Sequence, residues 1–205
     1  AVTATDWRGN NNIAESIINQ LAAEPHPEPA WIVGGVGTGG TAAAIGRYLR
    51  YRGLYPRLCA AEPAGSAFVH AWRSRDRGVR CSQPTVIEGI GRPQVEPGWV
   101  FETVDEVIEV PDAASIAAMR VLKEHLGKRY GGSSGTNLVA CLQLACRMRD
   151  EGLKGSIVSL LCDPGERYDQ TLYDRQWLAR NGIDPAPAAD ALRRTIATGR
   201  WQPLC

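Results

Sequence analysis

The residues best suited to chemistry lie in the run Trp31-Ile32-Val33-Gly34-Gly35-Val36-Gly37-Thr38-Gly39-Gly40-Thr41. A short β-branched strand runs into a glycine turn, and Ala42-Ala43-Ala44-Ile45 then begin a helix. Such a junction aims several backbone N–H groups, and the positive end of a helix dipole, at one spot. That makes an anion site, above all a phosphate site. Three phosphorylated ligands compete for it. Gly35-x-Gly37-x-x-Gly40 satisfies the dinucleotide fingerprint, and Glu62 ends the next apolar strand about where a ribose-binding acid belongs. An ATP loop would need lysine where Gly40 stands, which discounts it. A compact cup for a monophosphate cofactor is the third reading. It accounts for Thr38 and Thr41, whose hydroxyls flank two glycines and add donors that a dinucleotide turn does not need. On the loop alone the first and third readings stand level, beside the bland reading of a glycine turn that binds nothing.

Other candidate chemistry is sparse. Six cysteines (59, 81, 141, 146, 162 and 205) form no C-x-x-C pair. Cys59, Cys141 and Cys162 fall in segments expected to be buried, so they read as small core residues in a reduced compartment. His26, His70 and His125 are scattered and suggest no zinc site. Of 23 basic residues only Lys123, Lys128 and Lys154 are lysine. Net charge is +1, which gives no electrostatic case for nucleic acid or an anionic membrane. No apolar run approaches the length of a membrane span, and the first seven residues do not resemble a signal sequence. The expected location is cytoplasmic.

The elements that must position the loop follow from periodicity. Asn10 to Ala23 is expected to be helical, with Ile13, Ile17 and Leu21 on one stripe, and the Pro-rich segment 25–29 ends it. The helix after the glycine loop runs to about Arg52 and Gly53. Arg57 to Glu62 is a second strand, Ala64 to Arg73 a helix, 74–98 a loop, and Glu106 to Val110 a third strand. A helix follows through Ile116, Met119, Leu122 and Leu126, with Asp112 as its expected N-cap. Gly131 to Asn137 reads as a second glycine-rich turn opening a helix from Leu138 to Arg149. Gly155 to Cys162 is nearly all apolar, as a central parallel strand would be. Two helices, near 168–179 and 188–198, close the chain. Strands alternating with helices imply α/β architecture, a mostly parallel sheet with helices on both faces. In such sheets ligands sit at the carboxyl ends of strands, so the loops at 34–41, 131–135 and after Cys162 are expected to converge.

Four motifs now add up. Gly37-Thr38-Gly39-Gly40-Thr41, with Arg47-Tyr48-Leu49 and Ala61-Glu62-Pro63-Ala64-Gly65-Ser66 behind it, is the first. Glu88-Gly89-Ile90-Gly91 is the second, Gly132-Ser133-Ser134-Gly135-Thr136-Asn137 the third, and Asp163-Pro164-Gly165-Glu166-Arg167-Tyr168 the fourth. Their order and spacing resemble the pyridoxal-phosphate enzymes of the cysteine synthase/cystathionine β-synthase group, over about residues 5–173. Within that group Trp7-Arg8-Gly9-Asn10-Asn11-Asn12, the Cys162-Asp163-Pro164-Gly165 turn and the tail from Trp177 to Trp201 look most like the cysteine desulfhydrase branch. Common cysteine synthases carry serine where Pro164 stands. The resemblance leaves the dinucleotide reading a remote alternative.

The resemblance implies the larger, C-terminal domain of the tryptophan-synthase-β-like fold for residues 1–173, with 174–205 as a helical extension packed on it. It implies pyridoxal 5'-phosphate as cofactor, with Gly37, Thr38, Gly39, Gly40 and Thr41 around the phosphate and the Ser133 hydroxyl against the pyridine nitrogen. A hydroxyl there leaves the ring unprotonated and a weaker electron sink, which suits β-elimination. Helix capping is the competing role for Ser133. Gly89, Ile90 and Gly91 would form the substrate-side loop, against the alternative of an ordinary surface turn. Asp163 would orient Ser133 or its loop, and Arg167 and Tyr168 would be packing and surface residues. The implied chemistry acts at the β-carbon of cysteine or an O-activated serine, through an aminoacrylate. Cysteine desulfhydrase is favoured over cysteine synthase, and an inactive fragment or binding module is a further alternative. Family members are usually homodimers. The family's Schiff-base lysine sits in a P-x-x-S-x-K-x-R segment that nothing here matches, so a lysine-bearing N-terminal domain is expected outside these residues and turnover by this chain alone is not expected.

Overall fold

The computed structural model describes residues 12–82 and 85–204. The expected helix start at Asn10 and the run from Trp7 to Asn11 lie outside them. Asn12 caps the first helix, α1 (Ile13–Leu21), its side chain accepting from the Glu15 amide at 2.9 Å. Then come β1 (Trp31–Gly34), α2 (Gly40–Arg52), β2 (Arg57–Pro63), α3 (Ala67–Ser74), β3 (Glu106–Val110), α4 (Asp112–Leu126), α5 (Gly132–Asp150), β4 (Ile157–Ser159), α6 (Arg175–Arg180) and α7 (Ala186–Thr198). The four strands form one parallel sheet in the order β3-β2-β1-β4.

Strand residues alternate faces, and both faces are covered. Ile32, Leu58, Ala60 and Val107 pack toward Ala14 and Ile17 of α1, Ile45 and Leu49 of α2, and Phe68 of α3. Val33, Cys59, Ala61 and Ile108 pack toward Ala117 and Val121 of α4, Val139 and Leu144 of α5, and Leu192 of α7. A strand buried on both sides reads as a continuous apolar run, which is how β1 and β2 appear in the sequence. Among the described residues, no helix is long and apolar enough to cross a membrane.

Four expectations need correction. The run 155–162 is not a central strand. Only Ile157–Ser159 pair, with β1 alone among the described residues, and they are half-buried at the sheet's edge. Leu161 is exposed, as is Cys162, which therefore is not a core residue. Asp112 is not the cap of α4. Pro111 holds that position, and the Asp112 carboxylate instead accepts from Thr85 Oγ1 (2.8 Å) and the Val86 amide (2.7 Å), fastening the incoming loop. The glycine-rich stretch 132–137 is not a turn but the first turns of α5. Gly135 is there because α4 and α5 meet backbone to backbone: a Cβ would collide with the Ser115 carbonyl oxygen. The Ser115 and Thr136 hydroxyls share a buried 2.8 Å hydrogen bond at the same crossing. Finally, residues 165–168 form a 3-10 turn and α6 begins only at Arg175, capped by Asp174.

Candidate functional site

The site is built where β1 gives way to α2. Gly39 takes the N-cap position in the left-handed region (φ 86°), and no side chain caps the helix. The first amides of α2 are therefore unclaimed by any cap, and no acidic residue stands in the first turn, where a helix dipole would favour one. Thr38 and Thr41 are exposed, and among the described residues neither hydroxyl makes a hydrogen bond.

Two segments far along the chain shape this cup from behind. A Cβ on Gly39 would lie 2.5 Å from the Trp99 amide nitrogen, and one on Gly98 would strike the Thr38 carbonyl oxygen. The Trp99 ring is anchored in the core against Phe68, with ring centroids 4.9 Å apart. On the other side a Cβ on Gly37 would strike the Gly89 carbonyl oxygen, and one on Gly35 would lie 2.7 Å from Ile90 Cγ2. The structure thus brings Gly37, Thr38, Gly39, Gly40 and Thr41 together with Gly89, Ile90 and Gly91. Ile90 is buried, whereas nothing lies within 4 Å of a Cβ built on Gly89, whose φ is 86°.

Ser133 is the second residue of α5, and Gly131 rather than Ser133 or Ser134 occupies the N-cap. The residue is 7% exposed, and its hydroxyl makes no hydrogen bond among the described residues. Ser134 instead has a structural partner, its Oγ accepting from the Cys162 amide at 2.9 Å, just beyond β4. Asp163 does not reach Ser133. Its carbonyl accepts from the Gly131 amide (2.9 Å) and its carboxylate from the Tyr168 hydroxyl (2.8 Å), so it holds the N-cap residue in place. Tyr168 is buried packing, and burial pushes its phenol up to about 12. Arg167 is an exposed residue that pairs with Glu88 at 2.9 Å, tying the 3-10 turn to the glycine loop. Gly132 packs on Ile87, whose Cδ1 lies 3.0 Å from where a Cβ would be. The cup, the 85–91 loop and the start of α5 therefore lie at one edge, the carboxyl ends of β1, β2 and β4, as α/β sheets place their ligands.

Sequence reasoning missed two contributors. Gly98-Trp99 sat in a stretch with no periodic signal, and only a glycine beside an aromatic marked it. Glu62 was weighed as a ribose-binding acid, but it is fully buried. Its Oε1 accepts from the Val36 amide at 2.6 Å and its Oε2 from the Ser66 hydroxyl at 2.7 Å. Burial raises its carboxyl to about 8, against the opposing pull of these hydrogen bonds and of the Gly91 amide. No face of it is left for a ribose.

An uncapped helix start with flanking threonines fits a phosphate monoester dianion. An unpartnered hydroxyl on a buried residue at the start of a second helix fits a neutral aromatic nitrogen. Lys123, Lys128 and Lys154 are all exposed, and Lys154 precedes β4, at the end of the sheet away from the cup.

Comparison with known proteins agrees with this geometry. A family model described as pyridoxal-phosphate dependent enzyme matches residues 3–163. The chain belongs to this family. Its cofactor is pyridoxal phosphate, a molecule that carries both a phosphate monoester and an aromatic ring nitrogen. The L-cysteine desulfhydrase Cds1 of Mycobacterium tuberculosis is 49% identical over 201 residues, which are 98% of this chain and 55% of that protein. Cysteine synthase 2 of Schizosaccharomyces pombe is 34% identical over 165 residues, 75% of this chain and 41% of that protein. Among solved structures, O-acetyl serine sulfhydrylase isoform 3 of Entamoeba histolytica superposes with a TM-score of 0.64 at 30% identity, over 78% of this chain and 45% of that one. This pyridoxal-phosphate-family chain spans about half the length of the relatives it matches. The dinucleotide reading of the loop is set aside.

Proposed function

We propose that this chain is the phosphate- and ring-binding half of a pyridoxal-phosphate lyase that releases sulfide from cysteine. The observation that carries the reading is the pairing of an uncapped, threonine-flanked helix start with a free Ser133 hydroxyl at the same sheet edge. The 49% identity to a cysteine desulfhydrase over nearly the whole chain supports the substrate. Cysteine synthesis from an O-activated serine is the second reading, favoured by the 34% identity to a cysteine synthase.

The residues divide the work. The amides of Gly39, Gly40 and Thr41, with the Thr38 and Thr41 hydroxyls, bind the phosphate dianion and fix the cofactor's position. Gly37 and Gly39, lacking Cβ atoms, let the backbone come close. The Ser133 hydroxyl donates to the pyridine nitrogen and orients the ring without protonating it. Bound there, pyridoxal phosphate supplies an electron-withdrawing ring that stabilises negative charge at an amino acid's α-carbon. The Gly89–Gly91 loop, with its open Gly89, lies where it bounds the substrate space. The proton-moving lysine is not among the three in this chain, all of them exposed, and is supplied by a segment outside these 205 residues. The working molecule is a cytoplasmic homodimer of the completed enzyme, and residues 174–205 act as an extension of the cofactor domain.

The test is a titration of the chain with pyridoxal phosphate and with NAD, followed by a sulfide assay on cysteine. The reading expects saturable pyridoxal phosphate binding, none of NAD, and sulfide only when a lysine-bearing segment is added. NAD binding, or sulfide release by the chain alone, overturns it.

A further inference from the structure

A buried acid joins the cup to the loop beside it. Glu62 accepts from the Val36 amide on the way into the cup and from the Ser66 hydroxyl at the start of α3, and the Val36 carbonyl in turn accepts from the Gly91 amide that closes the glycine loop. The same two loops also meet directly. The Gly91 amide donates to the Val36 carbonyl at 3.3 Å, and Gly37 lies too close to Gly89 for any Cβ. Burying a carboxyl costs free energy that an apolar side chain of equal volume would not. What the acid adds is two oxygens that accept from separate segments at once. It sits where the two segments most need holding, because both carry glycines at positive φ (Gly39, Gly89 and Gly91) and few apolar side chains of their own.

We propose that Glu62 is a positioning residue that locks the phosphate loop and the Gly89–Gly91 loop into one unit, so that the cup's amides are aimed before a ligand arrives and the substrate-side loop moves only with them. Its value to the cofactor rests on the function proposed above, whereas the coupling between loops does not. The lock is local, because α4 and α5 have their own core contacts and none of them runs through this carboxyl.

The test is amide hydrogen exchange on the wild-type chain, Glu62→Gln and Glu62→Asp, with and without pyridoxal phosphate. Gln keeps the shape and an oxygen for the Val36 amide, and its NH2 can donate to Ser66 as the neutral acid's O–H does, so it is the conservative variant. Asp keeps both oxygens but is too short to reach Val36 and Ser66 together. In Glu62→Asp, exchange in 35–39 and in 88–92 is expected to rise together by about tenfold or more, with α4 and α5 unchanged, and pyridoxal phosphate affinity to fall by about tenfold, while Glu62→Gln stays close to wild type at neutral pH. A folded Glu62→Asp in which neither segment, or only one, exchanges faster overturns the proposal, as does a uniform rise across the whole sheet. If wild type fails to bind pyridoxal phosphate, the cofactor reading falls while the exchange data still decide the coupling. If Glu62→Asp does not fold, wild type in rising denaturant decides: the two segments must open on one common isotherm, and separate isotherms overturn the lock.

Discussion

At the scale of single residues, the site depends on groups left without partners and on one group given too many. Thr38 and Thr41 are exposed and bond to nothing among the described residues, so replacing both with valine should leave the fold intact while removing two donors from the phosphate. Calorimetry with pyridoxal phosphate should show affinity lower by about 10- to 100-fold, with the melting temperature of the free chain nearly unchanged. Unchanged affinity would remove the hydroxyls from the phosphate's coordination. Glu62 makes a different prediction. Its folded-state carboxyl titrates near 8 against an ordinary 4.5, because burial disfavours the charge. The unfolded chain ionises this acid first. The contribution is therefore full below about pH 4.5, declines as pH rises, and levels off above about pH 8. Relative to Glu62→Gln, wild type should lose on the order of 4 kcal/mol across that window. Urea denaturation of both proteins at several pH values measures it, and parallel pH profiles would show that the acid is not buried as described.

At the scale of elements, the close crossing of α4 and α5 sets where the Ser133 hydroxyl stands. Gly135 lies against the Ser115 carbonyl with no room for a Cβ, so Gly135→Val must force the helices apart. A loss of about 3 kcal/mol or more is expected in chemical denaturation, together with weaker pyridoxal phosphate binding as the start of α5 shifts. A stable variant with normal binding would mean that the crossing is looser than the structure shows. The same glycine explains what the sequence hid. Gly131 to Asn137 looks like a turn by composition, and only the proximity of Ser115, twenty residues earlier, makes glycine an interior helix residue. The first loop was legible because Ile32-Val33 before it and three alanines after it announce strand and helix locally. Glu62 was not, since the Val36 amide that it serves is 26 residues away. The edge position of β4 was hidden for a related reason. An apolar run reports burial, and burial alone does not say how many strands pair.

At the scale of the whole molecule, the chain has its own two-faced core yet spans about half of each relative it matches. The cup, the glycine loop and the start of α5 lie together at one sheet edge, the wall to which the proposed function assigns the cofactor. On the proposed function this wall binds the cofactor, and the lysine for turnover comes from a segment outside these residues. Saturating pyridoxal phosphate at about 100 times its dissociation constant should stabilise the chain by roughly 2.7 kcal/mol, a rise of about 5–11 °C in melting temperature, while NAD gives none. The measurement that bears most directly on the account is a crystal structure of the chain with pyridoxal phosphate. It should show the phosphate against the amides of Gly39 to Thr41 and the ring nitrogen within hydrogen-bonding distance of the Ser133 hydroxyl. A phosphate bound elsewhere, or a Ser133 hydroxyl out of the ring's reach when the cup is filled, would contradict it.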